Sequence, residues 1–167
     1  MNFESVVELA HAEGRDLLNE VEAKQLLAQA GVPVVETVLA SSVEEAKLAA
    51  EKIGYPVVVK VVSADISHKS DVGGVKIGLA DAEEVSQAYQ AIMENSREAV
   101  PDAVITGVAV QGMASEGIEV IVGMVRDPQF GPVMMFGLGG IFVELLKDVS
   151  FRVLPLAERD ARQMIDD

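Results

Sequence analysis

The amino-acid sequence predicts an α/β protein, and three observations support that fold class. Short runs of β-branched apolar residues, which favour strands, recur along the chain. Between them lie segments with apolar residues at helical spacing, and several of these segments begin with capping residues. Half of the 167 residues are hydrophobic and 24% are charged, which is typical of a folded globular chain rather than a disordered one.

The helices are predicted from apolar stripes that follow polar capping residues. Asn19 to Glu22 and Ser42 to Glu45 both have the pattern of a capping box, and the segment from Asp81 to Glu84 is expected to cap a further helix. Gly31 and Gly54 follow two of the stripes and are expected to end those helices. The predicted helices cover residues 3–12, 19–30, 43–53, 82 to about 100, and 158–167.

The strands are predicted from apolar runs bounded by turn residues. Residues 57–62 are almost all valine, which indicates a buried strand. Residues 127–131 have the composition of a turn between two strands. The predicted strands cover residues 33–39, 57–62, 75–79, 104–113, 118–125, 133–136 and 151–154.

Composition excludes several classes of function. The net charge of −14 argues against general nucleic-acid binding, which needs basic surfaces. The chain contains no cysteine, so it has no disulfide, thiolate nucleophile or cysteine zinc site. No apolar segment approaches the ~20 residues that span a membrane, and the first residues lack the zones of a secretory signal. We therefore expect a cytoplasmic protein that binds neither nucleic acid nor membranes.

The stretch most informative about function is a polar loop between two predicted strands, over residues 55–79. Lys60 interrupts the first strand and Lys76 opens the second. Because burying an unpaired ammonium group is costly, a phosphate held between the strands would explain both lysines. The loop contains Ser67, His68, Lys69, Ser70, Asp71 and the flexible pair Gly73 and Gly74.

Three motifs in this order carry a resemblance to a known family. They cover residues 55–75, 117–132 and 135–144. Together they resemble the ATP-grasp β part of NDP-forming acyl-CoA synthetases, a group that includes ADP-forming acetate–CoA ligases and is related to succinyl-CoA synthetase. The resemblance implies an ATP-grasp fold, with a complete first lobe and a truncated second lobe. The implied divisions are a helical lead over residues 1–18, a first lobe over 19–110 and a partial second lobe over 111–167.

The resemblance also implies where ATP or ADP would bind. Lys60 and Lys76 would hold the phosphates, although both could instead lie at strand edges with their ammonium groups in water. Gln111 and Met113 lie in the segment expected to contact the adenine. Glu119 would accept hydrogen bonds from the ribose hydroxyls, or it is an ordinary outward-facing strand residue.

His68 is the predicted catalytic residue. A neutral imidazole can accept a phosphoryl group, and the adjacent Lys69 would stabilise the charged adduct. Metal binding is disfavoured because the chain has only one other histidine, His11. Asp71 either orients the ring or forms the turn before Gly73. The resemblance implies that His68 carries a phosphoryl group between a partner and the nucleotide; the alternative is a solvated loop histidine.

The resemblance further implies that Gly139 and Gly140 belong to a mobile loop near the phosphates. Arg126 and Glu144 are polar residues nearby and are expected to be structural or surface ions. The ligands for Mg²⁺ are expected beyond residue 167, so the chain is predicted to hold no metal site and to have weak activity or none by itself.

The implied activity is that of an acid–CoA ligase (ADP-forming) component. A CoA-binding α subunit or fused region would form the acyl phosphate, and this chain would move the phosphoryl group to ADP. One alternative is a regulatory synthetase-like region of a protein acetyltransferase. Another is a nucleotide-binding or docking fragment without chemistry.

Overall fold

The computed structural model describes residues 3–140 and 148–166, in which helices and strands are interspersed. The chain divides into two units, Met1–Ala114 and Ser115–Asp167. The predicted lobe boundary after residue 110 lies within the last strand of the first unit, Ile105–Gly112. The predicted division into lobes stays a prediction. The elements of the first unit are α1 (Phe3–Ala12), α2 (Glu20–Gln29), β1 (Thr37–Ala40), α3 (Val43–Ile53), β2 (Val57–Ser63), β3 (Val75–Leu79), α4 (Ala82–Ala99) and β4 (Ile105–Gly112).

The first unit is built on a four-stranded antiparallel sheet with the order β1-β4-β2-β3. β2 lies in the interior of this sheet, which explains its run of valines: five of its seven residues are buried. The predicted strand over residues 33–39 begins only at Thr37. In its partner β4, Gln111 lies opposite Thr37 and the strand ends one residue later at Gly112, so residues 33–35 have no residue of β4 to pair with.

The two faces of this sheet are covered differently. On one face, α3 and α4 pack against the alternate valines of β2 and β4 and form the main hydrophobic core. On the other face, Val21 of α2 packs with Val62 and Ala109 in a smaller cluster. Lys60 shares this second face, because it lies two residues before Val62 and directly opposite Ala109. The side chains of α2 that cover this face can therefore contact Lys60.

The helix caps were predicted with one error. Asn19 and Glu22 form the expected capping box, in which Asn19 Oδ1 accepts from the Glu22 N–H at 3.0 Å and Glu22 Oε2 accepts from the Asn19 N–H at 2.8 Å. At α3, Ser42 Oγ accepts from the Glu45 N–H, but the Glu45 carboxylate turns to Ser41 instead of Ser42. Ser41 offers both its N–H and its hydroxyl to one carboxylate oxygen, at 2.8 and 2.7 Å, and so provides two bonds instead of one.

The second unit contains a three-stranded antiparallel sheet and one described helix. Asp127 Oδ1 accepts from the N–H groups of Gln129 and Phe130, which confirms the predicted turn. Met164 is buried, and Ser150 Oγ donates to its carbonyl at 3.1 Å, so the helix is tied to the sheet. Among residues 3–140 and 148–166, no helix is long and apolar enough to cross a membrane. The elements are β5 (Val120–Asp127), β6 (Gly131–Leu138), β7 (Val149–Val153) and α5 (Glu158–Asp166).

Replacing Gly107 with alanine is expected to destabilise the first unit strongly. Gly107 has φ +148°, and a Cβ there would overlap the carbonyl oxygen of Ala40 on the neighbouring strand β1. We expect the free energy of unfolding to fall by about 3 kcal/mol, measured by urea unfolding followed by far-UV circular dichroism. The matched control is Gly78→Ala, where φ is +73° but no atom lies within 4 Å of the added Cβ. It should cost only about 1–2 kcal/mol of backbone strain, and equal losses in the two variants would contradict this account.

Candidate functional site

The loop between β2 and β3 is anchored to the sheet at both of its ends. Ile66 is buried in the main core. The N–H of Gly74 donates to the Lys69 carbonyl at 2.7 Å, and the Gly74 carbonyl accepts from the N–H of Val61 in β2 at 2.8 Å. These contacts fold the loop back on β2 and leave the His68 side chain exposed.

Close packing and backbone conformation explain the glycine pair of this loop. A Cβ on Gly74 would lie 2.6 Å from Val61 Cγ1 and 2.9 Å from the Lys69 carbonyl oxygen. Gly73 has φ +64°, and a Cβ there would lie 2.7 Å from Asn95 Nδ2 on α4. Gly74 is therefore required because a Cβ would meet the backbone of the loop and the Val61 side chain of β2, whereas Gly73 is favoured by its positive φ.

A groove of about 380 Å³ brings several of the predicted site residues together. Lys60 comes from β2, while His68, Lys69 and Asp71 come from the loop, and Glu20 of α2 adds a carboxylate that the sequence analysis did not single out. Lys60, His68 and Lys69 therefore line one shared opening. The complete lining is Glu20, Lys60, Ser67, His68, Lys69, Ser70, Asp71 and Val75.

The carboxylate of Glu20 contacts the ammonium groups of three lysines. Glu20 Oε1 accepts from the Nζ of Lys60 at 2.8 Å and from the Nζ of Lys24 at 2.8 Å. Glu20 Oε2 lies 3.6 Å from Lys69 Nζ. Gln111 Oε1 accepts from Lys24 and, at 3.2 Å, from Lys60. Lys24, Lys60 and Lys69 thus meet the negative charge of Glu20, and Asp71 adds a second carboxylate to the groove lining, so the cluster keeps an excess of one positive charge.

These groups are largely shielded from solvent, so their charges interact strongly. The side chains of Glu20 and Lys60 are only 19% and 24% exposed. Burial alone would raise the pKa of Glu20, but hydrogen bonds and the charges of Lys24 and Lys60 outweigh it and lower the pKa from 4.5 to about 2. Glu20 is therefore ionised at neutral pH, and the excess positive charge remains available to an anion.

Glu20 and Lys24 were missed by sequence reasoning although a signal was present. Glu20 directly follows the predicted cap Asn19, and Lys24 lies four residues later, a spacing that favours an ion pair on one helix face. Nothing in the sequence shows that this face of α2 lies over Lys60. That placement depends on packing between Val21 and the sheet.

The structure does not bring Lys60 and Lys76 together. Lys60 is paired across the strands with Val75, whereas Lys76 is paired with Val59. Neighbouring residues of a strand point to opposite faces, so the two lysines lie on opposite faces of the sheet. Lys76 is not among the residues that line the groove. Its role in phosphate binding stays a prediction.

Gln111 and Met113 differ in their surroundings. The Gln111 side chain is buried and its Oε1 atom accepts from Lys24 and Lys60. Its backbone lies in β4, paired with β1 at Thr37 and with β2 at Val58. Met113 is 46% exposed, at the end of the first unit. The adenine contact itself stays a prediction.

In the second unit, the glycine-rich turn lies against Glu119. The N–H of Gly139 donates to the Glu119 carbonyl at 2.8 Å. Gly140 has φ +60°, and a Cβ there would collide with Glu119 Oε2. The exposed Glu119 carboxylate is thus held beside this turn, while its predicted ribose contact stays a prediction. Arg126 is exposed on β5, and Glu144 lies outside the described residues.

No metal-binding constellation is apparent in the part of the chain that the structure describes. Over residues 3–140 and 148–166, no three or more His, Asp or Glu side chains come together in a way that could hold an ion.

Comparisons of sequence place the chain among known proteins. Residues 9–167 match a family model described as an ATP-grasp domain. The β subunit of ADP-forming acetate–CoA ligase I from Pyrococcus furiosus is 55% identical over 160 residues, which are 96% of this chain and 68% of that subunit. The single-chain ADP-forming acetate–CoA ligase I from Archaeoglobus fulgidus is 50% identical over 144 residues, which are 86% of this chain and 21% of that protein. Relatives therefore occur both as separate β subunits and within longer chains.

Comparisons with solved structures agree with the sequence matches. Acetyl-coenzyme A synthetase 1 from Ca. Korarchaeum cryptofilum, solved with coenzyme A, Ca-AMPCP and HgCl⁺, matches with a TM-score of 0.95 at 52% identity over 98% of this chain and 72% of that one. The same enzyme with coenzyme A and Mg-AMPPCP, its phosphohistidine segment pointing towards the nucleotide binding site, matches with a TM-score of 0.81 at 48% identity over 98% of this chain and 69% of that one. The predicted ATP-grasp fold, truncated relative to these proteins, is confirmed.

Glu20→Gln is expected to destabilise the protein at neutral pH, and to do so progressively less as the pH falls below 4.5. The pKa of Glu20 is lowered on folding from 4.5 to about 2, so its ionised form stabilises the fold above pH 4.5 and this contribution is lost as the pH falls towards 2. We expect a loss of about 1–2 kcal/mol at pH 7, measured by urea unfolding from pH 7 down to pH 3.

The control is Glu44→Gln, which removes an exposed carboxylate from the first turn of α3. It should change stability by about 0.5 kcal/mol or less. A Glu20→Gln effect that equals the control, or that does not shrink as the pH falls, would contradict the ion cluster.

Proposed function

This chain belongs to the ATP-grasp domain family, and we propose from that premise that it is the nucleotide-binding and phosphoryl-transferring part of an ADP-forming acyl-CoA synthetase. One observation carries the proposal. His68, Lys60 and Lys69 line the same groove, where lysines outnumber the carboxylate that pairs with them. A phosphoryl acceptor and a site for phosphate charge are therefore adjacent.

The lysines would bind the terminal phosphates of ADP or ATP. Ammonium groups neutralise phosphate charge most strongly where water is partly excluded, as it is around Lys60 and Lys69. Lys24 adds a third charge behind them. Gln111 and Met113 would contact the base, and Glu119 the ribose, as the family resemblance implies.

His68 would carry the phosphoryl group as a covalent adduct. In the direction of ATP synthesis, a neutral ring nitrogen attacks the phosphorus of an acyl phosphate, the N–P bond forms, and the carboxylate leaves with the bonding electrons. A terminal oxygen of ADP then attacks the same phosphorus, the N–P bond breaks, and ATP forms. The nearby ammonium groups would stabilise the charge on the transferring phosphoryl group in both steps.

A partner would supply the acyl phosphate. We propose a CoA-binding α subunit or fused region, because relatives of this chain occur both as β subunits and within single-chain ligases. His68 is exposed and can therefore meet a group presented from outside the chain. Mg²⁺ bound with the nucleotide would neutralise further phosphate charge when present.

Replacing His68 tests this function directly, and the chain offers a matched control. It contains two histidines, and the other, His11, lies at the end of α1. In the complete ligase, His68→Ala should abolish labelling by [γ-³²P]ATP and lower ATP synthesis by at least about a thousandfold. His11→Ala should retain both properties.

The label should be stable in base and labile in acid, as expected of a phosphoramidate. Labelling of the His68→Ala variant at the wild-type level would contradict the proposal. Nucleotide binding without any labelling of the wild-type enzyme would instead favour a non-catalytic nucleotide-binding fragment.

A further inference from the structure

The carboxylate of Glu20 occupies the lysines that a phosphate in the groove would use. Its Oε1 atom lies 2.8 Å from Lys60 Nζ, and its Oε2 atom lies 3.6 Å from Lys69 Nζ. Both lysines and Glu20 line the groove with His68. The carboxylate therefore sits where the oxygens of a bound phosphate would make their own contacts with the same ammonium groups.

Glu20 is held in this place by the structure of α2. It is the first residue of the helix, between the cap Asn19 and Val21, whose side chain packs against the sheet. The Asn19 cap is closed by reciprocal hydrogen bonds with Glu22. The fixed backbone directs the side chain towards the groove, and the contacts with Lys24 and Lys60 hold its carboxylate there.

Two opposing effects of Glu20 on anion binding can be weighed. It orients Lys60, which would favour binding, but Gln111 Oε1 also accepts from Lys60 at 3.2 Å and would still orient the lysine in its absence. It also repels any second anion placed on Lys60 and Lys69, and repulsion between charges a few ångströms apart is weakly screened in a partly buried site. The repulsion is therefore the larger effect.

We propose that Glu20 is a built-in competitor for the phosphate site. Its carboxylate neutralises Lys60 and Lys69 when the groove is empty and weakens phosphate binding when the groove is filled. This inference rests on the proposed function. A phosphoryl group must leave the groove in every turnover, and a site that bound phosphate too tightly would slow that release.

The test is the affinity for inorganic pyrophosphate, measured by isothermal titration calorimetry on the chain with its partner. Pyrophosphate needs only the phosphate-binding groups and not the base or ribose contacts. Glu20→Gln and Glu20→Ala should both bind it more tightly than wild type, by about tenfold. The control Glu44→Gln makes the same change in net charge away from the groove and should leave the affinity within about twofold.

A second measurement separates competition from a purely structural role. Without pyrophosphate, Glu20→Gln should melt at a lower temperature than wild type, because three lysines lose their carboxylate. With pyrophosphate, its melting temperature should rise by more than that of wild type. If Glu20 only supported the fold, replacing it would lower both the stability of the protein and its affinity for pyrophosphate. Lower stability together with higher affinity therefore identifies a competitor.

The outcomes distinguish this inference from the proposed function. Tighter binding by both Glu20 variants supports the inference. Pyrophosphate binding by wild type that is unchanged or weakened in the Glu20 variants overturns the inference and leaves the phosphate site standing. No pyrophosphate binding by any of the proteins contradicts both the inference and the phosphate site.

Discussion

A lysine in the middle of a buried strand must be compensated, and this requirement organises the first unit. Lys60 is flanked by buried valines on β2, and an ammonium group there is tolerated only with partners. Glu20 and Gln111 provide them from α2 and β4. The partner Glu20 lies at the start of α2, and its carboxylate also contacts Lys24 and Lys69, so these charged groups gather on the face of the sheet that carries Lys60. The polar groove is thus a consequence of how the strand is packed.

The connection from β2 to β3 turns this charged face into a possible reaction site. The loop is fixed by the burial of Ile66 and by the bond between the Gly74 carbonyl and the Val61 N–H, so its exposed residues have defined positions. His68 consequently lines the groove that contains Lys60 and Lys69. A fixed arrangement of acceptor and cations lowers the reorganisation that phosphoryl transfer requires. In this view, packing in the core and chemistry at the surface depend on the same short segment.

Sequence reasoning was most successful where the structure is determined locally. The bounds of β3, the capping box of α2 and the loop that carries His68 depend on neighbouring residues, and they were predicted correctly. It did not show that Lys76 lies on the opposite face of the sheet from Lys60, because the register between β2 and β3 decides which face a residue occupies. It also missed Glu20, whose contact with Lys60 spans 40 residues and depends on how α2 packs. Such contacts follow from tertiary packing, which periodicity and spacing do not specify.

The most direct test of the central claim is to observe the lysine ammonium groups while phosphate binds. In the protein with ¹⁵N-labelled lysine side chains, inorganic pyrophosphate should shift the Nζ resonances of Lys60 and Lys69 before any others. Lys52, which is 72% exposed and paired with Glu36, serves as the reference and should shift little. If Lys52 shifted as much as Lys60, or if Lys60 did not respond at saturation, the groove would not be a phosphate site and the account would be contradicted.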